Sequence, residues 1–351
     1  MGACMNGNSD VVRDSTIPVT VLTGFLGSGK TTMLAKLLRS PRFAHTAVII
    51  NEFGEVGLDH ELLEQSREEL VLLANGCVCC TVRGDLVATL EKLHEQHVLL
   101  GIDRVVVETT GLADPAPILH TLMADPRVTA KFRLEHLVTS VDAYNGLRTL
   151  DAHPVALKQA AVADRIVLTK VDLVDAFTLK NIKERLKSIN KIAPIHVAQQ
   201  GEIDPDLLFL NESSGREHVK AASWLGDQYW FHHEDRHHRV HTHHHAGEHD
   251  SGIRSYSIVR DEPVSWQRFA TWLELISSMR GDDLLRVKGI VNVLEHPDQP
   301  IVVHGVQHVF HPYRTLEKWP GKDRRTRLVF ITRNIDREDI ETTLQVFESK
   351  K

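Results

Sequence analysis

The chain has 351 residues, 42% hydrophobic and 25% charged, which suffices for a sizeable core and for two domains rather than one. Its formal net charge of −6 offers no basic field for nucleic acid, and no apolar run approaches the roughly 20 residues of a membrane helix. Residues 1–15 are small and polar, lack a hydrophobic signal segment or a lipidation pattern, and read as a flexible tail. Four cysteines, three of them at 77–80, make no disulfide framework and point to a reducing compartment, with the cytoplasm as the default.

The first patterned stretch, residues 17–23, is short, apolar and β-branched, as a buried strand is. It runs into Gly24-Phe25-Leu26-Gly27-Ser28-Gly29-Lys30-Thr31, which fits the phosphate-binding pattern G-x-x-x-x-G-K-[ST]. A Leu- and Lys-rich helical run, 32–39, follows. In this strand–loop–helix context the glycines let backbone N–H groups curl around phosphate oxygens at a helix N-terminus. The candidate nucleotide-binding residues here are Gly24, Gly27, Ser28, Gly29, Lys30, Thr31 and Thr32. Lys30 can reach the β- and γ-phosphates and is a candidate catalytic residue, and the Thr31 hydroxyl can ligate Mg²⁺.

Residues 47–50 predict a second strand, ending in the acidic loop 51–57 that carries Glu52 and Glu55. Residues 70–73 predict a third, leading into Asn75-Gly76-Cys77-Val78-Cys79-Cys80, and 82–98 have helical periodicity. Strand 104–107 ends in Glu108-Thr109-Thr110-Gly111, with a Pro-marked helix start at 114–117. Strand 137–141 ends at Asp142. Strand 165–168 ends in Thr169-Lys170-Val171-Asp172 and precedes a helix over 178–190; strand 195–198 closes the series. The alternation predicts an α/β fold, a P-loop NTPase with a doubly wound, mostly parallel sheet, over 16–210. Residues 211–252 are polar and hold nine histidines between His232 and His249, so they read as a His-rich linker. Strands at 255–259, 284–294, 301–306 and 328–332, with helices at 266–279 and 335–347, predict a smaller C-terminal α+β domain, ferredoxin-like, over 253–351.

In a doubly wound sheet ligands bind beyond the carboxyl ends of the strands. If the strands before 24–31, 51–57, 77–80, 108–111 and 169–172 all run parallel, topology alone brings the thiols near a triphosphate. Glu108 stands where a Walker B acid belongs and can hold Mg²⁺ through water, and the Gly111 N–H can sense a γ-phosphate; both are candidate catalytic residues. No glutamine closely follows Gly111, so no water-orienting glutamine is apparent and turnover is expected to be slow, ~10⁻⁴ to 10⁻² s⁻¹. Thr169-Lys170-Val171-Asp172 resembles a guanine-reading [NT]-K-x-D loop. The Asp172 carboxylate accepts from guanine N1–H and its exocyclic amine, groups that adenine cannot offer. GTP, with Mg²⁺, is therefore the expected nucleotide.

Three thiols in four residues at a helix start are expected to have lowered pKa values and to suit Zn²⁺ or another soft or borderline ion. Three sulfurs leave a fourth position for Glu55, Glu52, a histidine or an exchangeable group. A lone C-x-C-C with no second cysteine pair fits a transfer site better than a closed structural one. Redox-sensing or inert thiols are the blander readings. In the linker, His232, His233, His237, His238, His241, His243, His244, His245 and His249 would make weak accessory metal sites with little selectivity; a merely solvated His-rich linker is the alternative.

The segments 24–32, 51–57, 75–80, 108–115 and 169–172 together resemble the CobW family of P-loop GTPases, and 283–290 and 327–331 resemble its C-terminal domain. The resemblance spans about 17–210 and 253–348. It implies a GTP-dependent metallochaperone with Zn²⁺ as cargo and Co²⁺ as the alternative. Metal would sit on the C-x-C-C thiols, and hydrolysis would drive its release into a client protein. By motif, Glu55 and Cys79 match metal-site positions of a family member, Cys77 and Cys80 complete the thiol set, and Ile50 replaces that member's metal-binding glutamate. The second domain would bind the client or support a homo-oligomer. Two other readings compete: a zinc buffer in which nucleotide binding is incidental, and an ATP-dependent kinase, for which no acceptor site is recognisable.

Overall fold

A computed structural model describes residues 16–51, 71–72, 78–82, 86–206 and 252–348. Glu52, Glu55, Cys77 and the nine linker histidines lie outside the described residues.

The first half is built on an eight-stranded sheet. Its strands in chain order are β1 (Ile17–Gly24), β2 (Thr46–Asn51), β3 (Val71–Leu72), β4 (Val78–Val82), β5 (Arg104–Thr109), β6 (Phe132–Asp142), β7 (Arg165–Thr169) and β8 (Ile195–Val197). Across the sheet they run β3-β4-β2-β5-β1-β6-β7-β8. Every neighbouring pair is parallel except β3 with β4. Parallel strands are covered on both faces and so read as unbroken apolar runs. Residues 105–107 and 166–168 are of this kind, all fully buried.

Alternate residues of each strand feed opposite faces. Val19, Val21, Ile49, Val105 and Val107 pack with α2 (Leu86–Leu100), α3 (Ala116–Ala124), α6 (Pro154–Val162) and α7 (Ala176–Ile189). Leu22, Val48, Val106, Val138 and Val167 pack instead with Met33, Leu34 and Leu37 of α1 (Lys30–Leu37). Two short helices, α4 (Pro126–Thr129) and α5 (Gly146–Ala152), complete this half. The fold is that of a P-loop NTPase, doubly wound and mostly parallel.

The second half is an antiparallel sheet ordered β12-β11-β10-β14-β9, with β13 paired to β11. Its strands are β9 (Ile253–Arg260), β10 (Arg286–Val291), β11 (Ile301–Val306), β12 (Val309–Phe310), β13 (Arg314–Thr315) and β14 (Thr326–Arg333). Helices α8 (Trp266–Arg280) and α9 (Arg337–Glu348) cover one face through Phe269, Trp272, Leu273, Ile340 and Leu344. β9 and β10 are both antiparallel to β14, which lies between them, so β9–α8–β10 is a split βαβ unit.

Leu285, Val306, Val329 and Ile331 of the second half belong to the larger core cluster of the first. Among them lies an ionic contact: the carboxylate of Asp164, just before β7, pairs with both Arg286 and Lys288 of β10. It also accepts from the Leu137 N–H at 2.8 Å.

One expectation is corrected. The thiol motif does not open a helix: Cys79 and Cys80 lie within β4, and α2 begins only at Leu86. The run Val78-Cys79-Cys80-Thr81-Val82 has the β-branched character of a strand, and its pairing to β2 supplies the backbone bonds. The condition for a shared rim also fails at β3, which is antiparallel to β4. The C-terminal end of β3, at Leu72, therefore points away from the carboxyl ends of the parallel strands.

Candidate nucleotide site

The phosphate loop leaves β1 at Gly24, whose φ of +142° and tight surroundings demand glycine: a Cβ there would lie 2.3 Å from Ser140 Oγ. Gly29, at φ +86°, turns the chain into α1 and leaves the first-turn N–H groups facing the loop. Lys30 is 93% buried, and its ammonium donates to the carbonyls of Gly24 (2.8 Å) and Phe25 (3.3 Å). Burial lowers the Lys30 pKa, while the nearby Glu108 carboxylate opposes that shift. The Thr31 hydroxyl donates to Glu108 Oε1 at 3.0 Å, although the two residues are far apart in sequence. Thr32, exposed on α1, lies against Gly201 in the loop after β8.

Glu108 is buried near the end of β5, the strand hydrogen-bonded to β1. Gly111 packs directly on the phosphate loop, where an added Cβ would come within 2.6 Å of the Leu26 nitrogen. The candidate sensor glycine and the candidate cradle are therefore in van der Waals contact. A hydroxyl and a carboxylate converging at the start of α1 form the hard-oxygen donor pair that Mg²⁺ takes, so these residues fit that ion.

The candidate base-reading loop follows β7. Thr169 is buried and donates to the Ser28 carbonyl at 2.7 Å, joining this loop to the phosphate loop. Lys170 adopts φ +54°, and its ammonium pairs with Asp142 Oδ2 at 2.8 Å. Asp172 is exposed in the short 3₁₀ turn Val171–Leu173.

Asp142, at the end of β6, also accepts from the Tyr144 N–H (2.8 Å) and from Asn145 Nδ2 (3.1 Å). Burial pushes its carboxyl up, but the bonds from Lys170, Asn145 and the backbone outweigh that and hold it below the usual carboxylate range. A cavity of about 260 Å³ opens between residues 25–28 and α5, lined by Ser28, Ser140, Asp142, Arg148, Gln159 and Lys170. Asp142 and Gln159 went unrecognised as site residues in the sequence. Asp142 had a usable signal, an acid at a strand end like Glu108; Gln159 had none.

The described thiol residues reach this region by register rather than by a shared rim. Cys79 pairs with Val48 and Cys80 with Ile49 of β2, while Ile50 sits between Thr81 on one side and Glu108 on the other. The Cys80 backbone is thus one residue before the rung that holds Glu108. With strands 4.7–4.9 Å apart, the two backbones are on the order of 10 Å from each other. Among the described residues no group of three or more His, Cys, Asp or Glu side chains is arranged to hold a metal.

The nucleotide-binding domain of the CobW/HypB/UreG family matches residues 18–197, and the C-terminal domain of the cobalamin synthesis protein CobW matches 253–348. The chain belongs to the CobW family. It is 31% identical over 328 residues to the zinc chaperone YjiA of Escherichia coli K12, covering 92% of this chain and 96% of that protein. It is 35% identical over 225 residues to zinc-regulated GTPase metalloprotein activator 1 of Schizosaccharomyces pombe, covering 61% of this chain and 54% of that one. Among solved structures, the Zn(II)-bound YjiA GTPase from E. coli superposes with a TM-score of 0.71 at 28% identity, covering 96% of this chain and 99% of that chain. This CobW-family chain is a P-loop GTPase.

Proposed function

We propose that the chain is a GTP-hydrolysing metallochaperone that binds Zn²⁺ as cargo at Cys77, Cys79 and Cys80 and couples the nucleotide cycle to transfer into a client protein, with Co²⁺ as an alternative cargo. The observation that carries this reading is the register across β4, β2 and β5. It sets the backbones of Cys80 and Cys79 one and two rungs before the acid that bonds Thr31, with β2 between. A shift at the nucleotide has only β2 to cross before it reaches the metal strand. The names of the relatives, a zinc chaperone and a zinc-regulated GTPase metalloprotein activator, agree with it. Glu55 or Glu52 would complete the metal set, and the linker histidines would collect metal weakly. GTP-bound Mg²⁺ would be held by Thr31 directly and by Glu108 through water, and would neutralise developing phosphate charge.

The chain's own residues supply positioning. Gly24, Gly27, Ser28 and Gly29 shape the phosphate cradle, and Lys30 leaves its two carbonyls for the β- and γ-phosphates. The Gly111 N–H meets the γ-phosphate. Thr169, Lys170 and Asp172 hold guanine, with Asp172 rejecting adenine. The setting would be the cytoplasm; among the described residues no helix is long and apolar enough to cross a membrane.

The test is GTP turnover with and without one equivalent of Zn²⁺ in wild type and Cys79→Ala. The reading expects a rate that responds to Zn²⁺ only when Cys79 is present. A rate indifferent to both separates the two sites and leaves a zinc buffer.

A further inference from the structure

The loop 110–114, which carries Gly111, is held from behind by α6. Gln159 is fully buried in that helix, and its amide nitrogen donates to two carbonyls of the loop, Gly111 O at 3.3 Å and Ala113 O at 3.0 Å. Both targets are acceptors, so the amide orientation is fixed by chemistry. The neighbouring residue, Lys158, pairs with Asp114 at 2.6 Å and is only 18% exposed. Gln159 thereby supplies two donors to a stretch of backbone whose other face touches Leu26 of the phosphate loop.

The helix that carries this amide is itself pinned. Asn190, fully buried, donates from Nδ2 to the carbonyls of Ala160 (3.1 Å), Ala161 (3.0 Å) and Ala163 (2.9 Å) at the C-terminal end of α6. At the N-terminal end the His153 ring stacks on Phe25 of the phosphate loop, with centroids 4.5 Å apart. The Thr139 hydroxyl in β6 donates to the Gln159 carbonyl at 2.8 Å. A side chain locked by its own supporting bonds can impose a geometry on a loop. The amide oxygen Oε1 is buried with no hydrogen-bond partner among the described residues, and Gln159 is one of the residues that line the 260 Å³ cavity.

We infer that Gln159 is a positioning residue for the GTPase reaction: it sets the Gly111 N–H at the height of the γ-phosphate and so fixes the preference for GTP over GDP. The inference rests on reading 108–111 as the γ-phosphate sensor. It does not depend on the metal proposal. The chain lacks a glutamine just after Gly111 but brings one to the same loop from 48 residues downstream. This one orients the sensor instead of water.

The test measures affinities of the full chain for GDP and for a non-hydrolysable GTP analogue, both with Mg²⁺, in wild type, Gln159→Met, Lys158→Ala and Gly111→Ala. Methionine keeps the volume of glutamine and removes both donors. Losing both donors predicts a loss of analogue affinity on the order of tenfold or more, with GDP affinity within about twofold. Equal losses for both nucleotides, or no loss, in Gln159→Met while Gly111→Ala discriminates would overturn the positioning role and leave the sensor reading standing. Loss of discrimination in neither variant would overturn both. If Gln159→Met does not fold, Lys158→Ala decides: a selective weakening of analogue binding upholds the clamp, and unchanged binding of both nucleotides refutes it.

Discussion

Thr169 stands where a guanine-reading loop more often carries asparagine, and its hydroxyl ties that loop to the Ser28 carbonyl. The nearby Lys170–Asp142 pair sets the ammonium of the next residue. Thr169→Val, which keeps the shape and leaves the buried carbonyl without that donor, should weaken GTP and GDP alike by roughly tenfold. Equilibrium titration with fluorescent nucleotides reads this directly. Asp172→Ala should instead erode the choice of guanine over adenine, since only the carboxylate answers the exocyclic amine; competition by ATP against bound GDP is the measurement. The two loops, at 24–31 and Thr169–Asp172, stand out in the sequence as candidates because each is a pattern of consecutive residues. Asp142 carries the strand-end signal of an acid, but its pairing with Lys170, 28 residues away in sequence and 2.8 Å in space, is supplied only by the fold.

Helix α6 shows why some elements escape a sequence reading. Ala156, Leu157, Gln159, Ala160, Ala161 and Val162 are all buried, so the helix has no polar stripe to reveal a period. Its C-terminal carbonyls depend on Asn190, which also accepts from the N–H groups of Ile192 (3.2 Å) and Ala193 (3.0 Å). Asn190→Ala strands buried carbonyls and should cost about 3 kcal/mol of unfolding free energy, visible as a lower urea midpoint at unchanged slope. Strand β4 is the opposite case. Its cysteines suggest chemistry at a helix start, whereas the β-branched residues among them make a strand that pairs in parallel with β2. For 17–24, 104–109, 132–142 and 165–169 the sequence pattern implies parallel strands but not their order. The exchange that seats β5 between β2 and β1 is a property of the crossovers.

At the scale of the whole molecule, the two halves are joined by apolar contacts and by one carboxylate shared between two cations. Burial pushes the Asp164 carboxyl up, but Arg286 and Lys288 overcome this and hold it well below the ordinary range. Asp164→Ala leaves both cations buried without it, which should cost ~3–5 kcal/mol. Differential scanning calorimetry would record the loss as a lower unfolding temperature. Burial depresses Lys288 from 10.5 to about 8 against the pull of Asp164. Between those pH values the unfolded chain holds a proton that the native one has shed, so this group makes stability rise with pH across the window. Lys288→Met should remove that rise, as measured by urea unfolding at pH 8 and pH 10.5.

The same scale holds the central claim, that one chain couples metal on β4 to nucleotide on β1 and β5. Coupling between two ligands is reciprocal. The most direct test is Zn²⁺ affinity by chelator competition in the nucleotide-free, GDP-bound and GTP-analogue-bound chain, paired with analogue affinity at zero and saturating Zn²⁺. The account predicts that the analogue changes Zn²⁺ affinity by at least about fivefold, and that Zn²⁺ changes analogue affinity by the same factor. Equal Zn²⁺ affinity in all three nucleotide states would contradict it.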